Sequence, residues 1–172
     1  MVTFIDNLSA NIIEKAKKIK LLLTDCDGVL TDTGAYYSPN GEELKRFSLR
    51  DGMGVERLTK IVNVETGIVT GEDSELLKRR AEKLNISELH LNVKDKVAVF
   101  EEIKKKKNLS SDEIAFIGDD TNDLEIMKLA GLTACPNDAT KFAKDVADII
   151  VESKGGYGAF RDFAEIIIES KK

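Results

Sequence analysis

Short apolar runs alternate with longer segments of helical periodicity along most of this chain, and that alternation constrains the fold more than any other feature. Runs at 20–24, 64–70, 89–91, 114–117, 132–134 and 148–151 read as strands. Segments 7–18, 51–60, 73–84, 94–107, 121–130, 138–145 and 158–169 read as helices; the first places Leu8, Ile12, Ile13 and Ala16 on one side. Strands alternating with helices predict an α/β fold with a doubly wound parallel sheet, in which ligands bind at the carboxyl ends of the strands. One segment interrupts the alternation. Ala35-Tyr36-Tyr37-Ser38 and Glu43-Leu44-Lys45-Arg46-Phe47 flank Pro39-Asn40-Gly41. Asn-Gly between two strand-like runs is a strong hairpin signal, so residues 34–48 are expected to project as a flap.

A length of 172 residues predicts one domain spanning 1–172, with no segment between the strands long enough for a large cap. The composition is 42% hydrophobic, enough for a core, and 33% charged, which argues against a membrane protein. A net charge of −5 offers no electrostatic case for nucleic acid. The run Lys104-Lys105-Lys106-Lys107 reads as a solvated helix end whose cations complement the dipole. Two cysteines, Cys26 and Cys135, make no Cys-x-x-Cys spacing and no disulfide framework, which fits a reduced, cytoplasmic setting. Residues 1–20 hold scattered charges and no long apolar core, so neither a signal peptide nor a membrane span is expected.

Three strand ends carry the chemistry. The first is followed by Asp25-Cys26-Asp27-Gly28, the next by Thr70-Gly71, and the 114–117 strand by Gly118-Asp119-Asp120-Thr121-Asn122-Asp123. Residues i and i+2 of an extended segment face one way, so Asp25 and Asp27 share a face and Cys26 packs on the other. Two anions on one face call for a metal, a shared proton or a cationic substrate. Adjacent parallel strands would crowd Asp25, Asp27, Asp119, Asp120 and Asp123 into one crevice, which suits a hard divalent cation such as Mg2+. Thr70 adds a hydroxyl and Lys96 a cation, completing a phosphate site with a carboxylate nucleophile. Asp25 is placed to attack phosphorus, and Asp27 to protonate the leaving alcohol and then deprotonate water. Each element alone reads equally well as something plainer. Asp-Gly is a turn signal, Asp after a strand caps helices, and Thr suits a strand. The order and spacing of all of them together carry the argument.

These motifs resemble those of the haloacid dehalogenase superfamily of phosphohydrolases. The resemblance implies Asp25 as nucleophile and Asp27 as general acid/base. It implies Mg2+ held by Asp25, the main-chain carbonyl of Asp27 and Asp119. Thr70 and Lys96 would hold the phosphoryl group, with Asp123 orienting Lys96. A narrower likeness covers nearly the whole chain. The early hairpin, Arg50-Asp51-Gly52-x-Gly54, Asp95-Lys96 and Gly155-Gly156-Tyr157-Gly158-Ala159 resemble the 3-deoxy-manno-octulosonate 8-phosphate phosphatase family. That likeness implies a homotetramer in which one subunit's hairpin closes its neighbour's site, and a Gly-rich tail that closes the site as well. One departure stands out: Glu72 follows Thr70-Gly71 where eight-carbon sugar-acid phosphatases typically show arginine. With Arg79, Arg80 and Lys83 it is similar to the phosphatases of nine-carbon 2-keto-3-deoxy sugar acids. Gly71, Glu72, Arg80, Lys83, Asn122 and Asp123 therefore form the expected substrate-binding set, joined by Arg50 and Lys45, which could meet a substrate carboxylate. His90 is expected to be structural, and Tyr36, Tyr37 and Phe47 to pack in the hairpin or a subunit contact. Two other readings compete: a non-catalytic module associated with a sugar-acid cytidylyltransferase, and a receiver-type phosphoacceptor. Retention of Asp25, Asp27 and Lys96 speaks against the first, and the early position of Asp25 against the second.

Overall fold

The computed structural model describes residue 6 and residues 8–172. The elements run α1 (Ala10–Lys18), β1 (Leu21–Thr24), β2 (Ala35–Ser38), β3 (Gly41–Lys45), α2 (Leu49–Val62), β4 (Glu65–Val69), α3 (Glu75–Lys83), β5 (Glu88–His90), α4 (Lys96–Lys107), β6 (Ile114–Ile117), α5 (Leu124–Leu129), β7 (Leu132–Cys135), α6 (Lys141–Val146), β8 (Ile149–Ile150) and α7 (Ala159–Lys171). Residue 7, the expected start of the first helix, lies outside the described residues. The helix begins where Ser9 caps it, its hydroxyl accepting from the Ile12 amide. α2 starts at Leu49, earlier than the apolar pattern implied, because the Ser48 hydroxyl accepts from the amides of Arg50 and Asp51. The helix expected at 121–130 opens instead with a 3-10 turn, Thr121–Asp123, held by reciprocal capping between Asp120 and Asp123.

Six parallel strands form one sheet in the order β5-β4-β1-β6-β7-β8, and β2 and β3 pair as a separate antiparallel hairpin. No large cap domain is present among the described residues. Helices cover both sheet faces. On β1, Leu22 joins a core with residues of α1, α2, α3 and α7, while Leu21 and Leu23 join one with α4 and α5. That split follows from the strand pleat, which sends alternate side chains to opposite faces.

β1 is central. Thr24 pairs with Ile68 on β4 and with Ile117 on β6, so the three strands end level with one another. The chain builds outward from β1 through β4 and β5, then crosses back to β6. The carboxyl ends of β1 and β6 therefore flank the switch point where such sheets bind ligands.

The Arg50-Asp51-Gly52 segment has a structural use. Asp51 is buried, and its Oδ1 accepts from the Arg161 amide at 2.9 Å, capping the first turn of α7 from a neighbouring helix. Burial pushes its carboxyl up to about 6, against the hydrogen bonds from Arg161 and Ser48. His90 places its Nε2 2.6 Å from Glu88. Lys104 and Lys107 in the last turn of α4 pair with Glu101 and Glu65. Among the described residues no helix is long and apolar enough to cross a membrane.

Candidate active site

The strand β1 stops at Thr24, and the pleat does not continue through the acidic motif. Instead the Cys26 carbonyl accepts from the amides of Val29, Leu30 and Thr31, winding residues 25–31 into a turn. Asp25 and Asp27 still open on the same cleft, but the turn places them there and not the strand periodicity. Cys26 points into the core, fully buried, and burial pushes its thiol well above the usual range. Gly28 sits at φ +81°, and a Cβ there would lie 2.0 Å from Oδ2 of Asp119. Only glycine allows both the left-handed turn and this approach.

An open cleft of about 260 Å³ lies at the carboxyl ends of β1, β4 and β6, lined by Asp25, Asp27, Thr33, Thr70, Gly71, Glu72, Asp119, Asp120 and Asn122. Most of the expected site residues therefore meet. Thr33 was not foreseen. Its φ of +65° is unusual for a β-branched residue, and no local sequence pattern announces it.

Beneath the cleft floor lies a buried ionic group. Lys96, at the start of α4, places Nζ 2.9 Å from Asp25 and 2.6 Å from Asp123. Asp123 is fully buried, and its second oxygen accepts from the Asp119 amide at 2.9 Å. Both its oxygens are thus occupied, and it orients Lys96 and the β6 loop. Burial opposes the charge on Lys96, yet Asp25 and Asp123 hold its ammonium above the usual range.

Oxygens of Asp25, Asp119 and Asp123 all come within 4.8 Å of one another. Burial and the Asp123 charge push the Asp25 carboxyl up to about 7, against the pull of Lys96. Burial and the charges of Asp123, Asp25 and Asp120 push Asp119 to about 8. Carboxylates forced together at this cost fit a divalent cation, whose charge would remove the repulsion.

The cations expected to bind substrate do not line the cleft. Lys45 is almost fully buried behind Asp27, 3.0 Å from its Oδ1 and 3.0 Å from Glu42. Arg80 donates to the Ser48 carbonyl at 2.8 Å and lies over the Phe47 ring. Arg50 and Lys83 are exposed on α2 and α3. Long cationic side chains reach in many directions, so their positions in sequence say little about where the charge ends. The glycine-rich segment packs against the turn after β1: a Cβ on Gly155 would lie 1.9 Å from the Gly28 carbonyl oxygen, and the Gly156 amide donates to the Val29 carbonyl.

Known proteins resemble this chain in sequence and fold over nearly its whole length. Residues 57–159 match the family profile described as haloacid dehalogenase-like hydrolase. The Escherichia coli (strain K12) 3-deoxy-D-manno-octulosonate 8-phosphate phosphatase is 35% identical over 161 residues, covering 94% of this chain and 85% of that protein. A Moraxella catarrhalis enzyme of the same name, solved with magnesium, phosphate and KDO, superposes with a TM-score of 0.90 at 34% identity, covering 95% of this chain and 94% of that one. The cobalt-bound Haemophilus influenzae enzyme gives a TM-score of 0.88 at 33% identity, covering 91% of each chain. The motifs, the uncapped fold and these likenesses agree: the chain belongs to the haloacid dehalogenase-like hydrolases, as a phosphatase of the 3-deoxy-D-manno-octulosonate 8-phosphate phosphatase family.

Proposed function

We propose that the protein removes the terminal phosphate of a 2-keto-3-deoxy sugar acid, using Mg2+ and an aspartyl-phosphate intermediate on Asp25. The observation that carries this is the buried triad of Lys96 between Asp25 and Asp123, with Asp27 opening on the same cleft. Asp25 and Asp119, with the main-chain carbonyl of Asp27, would hold the metal, which when bound offsets phosphate charge and the mutual repulsion of the carboxylates. The Asp25 carboxylate attacks phosphorus as the ester oxygen leaves with a proton from Asp27. Asp27 then takes a proton from the water that hydrolyses the acyl phosphate. Lys96 and Thr70 hold phosphoryl oxygens, and Gly71 and Asn122 line the path to them.

For the substrate, a nine-carbon acid 9-phosphate stands ahead of an eight-carbon acid 8-phosphate. Glu72 supports this ordering: it lines the cleft beside Asp27, where no arginine among the described residues does. The eight-carbon reading is favoured by the names of the relatives. Comparing kcat/KM for the two phosphates at saturating Mg2+ decides between them. A preference for the eight-carbon ester overturns the ordering, and no Mg2+-dependent turnover of either overturns the sugar-acid assignment.

The whole chain acts as one catalytic domain in this reading, in the cytoplasm. A cleft of about 260 Å³ is small beside the roughly 300–1,000 Å³ of typical ligand sites, and its lining carries no cation for a substrate carboxylate. Self-association as a homotetramer would complete it. In support, Tyr36, Tyr37 and Leu44 on the hairpin and Leu49 and Met53 on α2 are exposed, not packed within the chain. Light scattering of the purified protein tests the assembly, and a monomer at micromolar concentration would refute it.

A further inference from the structure

The hairpin touches the catalytic turn through a buried ammonium whose carboxylate partner is the assigned acid/base. The Lys45 side chain is 2% exposed, and its Nζ straddles both oxygens of Asp27, 3.0 Å from Oδ1 and 3.2 Å from Oδ2. On its other side it meets Glu42 at 3.0 Å. Glu42 is held in turn by the Ser74 hydroxyl at 2.6 Å, and Ser74 caps α3 just beyond the end of β4. A chain of polar contacts therefore runs from the α3 cap through Glu42 and Lys45 to Asp27.

The backbone is shaped to make this chain. Residues three apart in a regular strand face opposite ways. Here Tyr36 pairs with Leu44 and Tyr37 with Glu42, so Glu43 is an extra, unpaired residue in β3. This bulge resets the alternation and brings Glu42 and Lys45 onto one side, a known use of bulges beside active sites. Lys45 is not the hairpin's sole attachment among the described residues. Arg46 already donates to the Gly156 carbonyl at 2.8 Å and stacks 4.0 Å from the Tyr157 ring centroid.

We propose that Lys45, braced by Glu42, is a positioning residue that aims the Asp27 carboxyl at the leaving-group oxygen. Apart from Lys45, the Asp27 carboxylate is held by Thr31 at 3.1 Å through a single oxygen, which leaves its plane free to turn. Lys45 fixes that plane. Glu42 keeps the buried ammonium compensated when Asp27 carries the proton, so no unpaired buried charge arises in either half of the cycle. The inference rests on the acid/base assignment of Asp27 made above.

The test compares two esters of similar size and without a carboxylate. Benzyl phosphate releases an alkoxide that needs a proton, whereas 4-nitrophenyl phosphate releases a stable phenolate. Lys45→Met is expected to lower kcat/KM for benzyl phosphate by roughly 10–100-fold, the scale of a misplaced catalytic group. Its effect on 4-nitrophenyl phosphate should stay within about threefold, since little proton transfer is needed there. In an Asp27→Asn background Lys45→Met should add nothing for benzyl phosphate. Glu42→Gln should give a smaller loss with the same selectivity, and it decides the matter if Lys45→Met does not fold. Equal losses on both esters, or a full Lys45→Met cost persisting without Asp27, overturn the positioning role. If Asp27→Asn itself weakens both esters equally, the acid/base assignment fails and the role of Lys45 with it.

Discussion

A Cβ on Gly28 would stand 2.0 Å from Oδ2 of Asp119, so the turn after β1 and the loop after β6 are fitted to each other across the switch point. Gly28→Ala forces the Asp119 carboxylate away and strains a backbone at φ +81°. The strain costs about 1–2 kcal/mol. The Mg2+ concentration for half-maximal activity should rise by roughly 10–100-fold, as when a group supporting a metal ligand is lost. Titrating Mg2+ against activity checks this, and an unchanged requirement would show that Asp119 is not a ligand.

Stability without metal should depend on pH in a defined direction. Asp25 and Asp119 hold their protons to about 7 and about 8 in the folded chain, far above the ordinary carboxyl value of 3.8. The folded state therefore binds more protons than the unfolded one over this range. The contribution of these groups is fully present below about pH 4 and is lost as pH rises through about 8. Mg2+ bound by these carboxylates would compete with those protons, so the rise in Tm on adding Mg2+ should be larger at pH 8 than at pH 6. Asp119→Asn should raise the metal-free Tm at pH 8, by about 2–4 °C for each kcal/mol recovered, and abolish the Mg2+ response. Differential scanning calorimetry with and without EDTA reads both effects.

On the proposed mechanism Asp25 and Asp27 have different tasks and should fail differently. Asp25→Asn is expected to abolish turnover with the fold intact. Asp27→Asn should slow the natural alkyl ester by roughly 10²–10⁴-fold, the usual worth of a general acid/base. After incubation with phosphorus-labelled substrate, label should stay on Asp27→Asn protein and be absent from Asp25→Asn protein. Label on the Asp25→Asn protein would place the nucleophile elsewhere.

Asp51 offers a contrast, since its carboxylate serves α7 and not the cleft. Asp51→Ala should cost about 1–2 kcal/mol, as for a lost helix cap. Turnover below the new Tm should be close to that of the wild type. A drop in kcat with an unchanged Tm would move Asp51 from the structural to the catalytic account.

The strand-end motifs were legible because their logic is local. Asp25, Asp27, Thr70 and Asp119 each follow an apolar run, and the parallel register of β1 with β4 and β6 brings those run ends together. Boundaries were less legible where a single side chain decides them, as Ser48 does for α2. Lys45, Arg50, Arg80 and Lys83 were harder still. A flexible cationic stem leaves its charge undetermined until neighbouring elements dock, and here Lys45 turned inward to Asp27 while Arg80 turned to the Ser48 carbonyl.

Sequence by itself determined the alternating architecture, the acidic strand ends and the lysine that opens α4, since periodicity, turn chemistry and spacing act over a few residues. Tertiary structure alone decided that Asp123 gives both oxygens to Lys96 and the β6 loop, and that Gly28 makes room for Asp119. It also decided that a bulge brings Lys45 and Glu42 to one side, with Lys45 against Asp27. Those contacts join residues far apart in the chain, and their energies depend on burial and distance, which exist only once the sheet has brought the segments together.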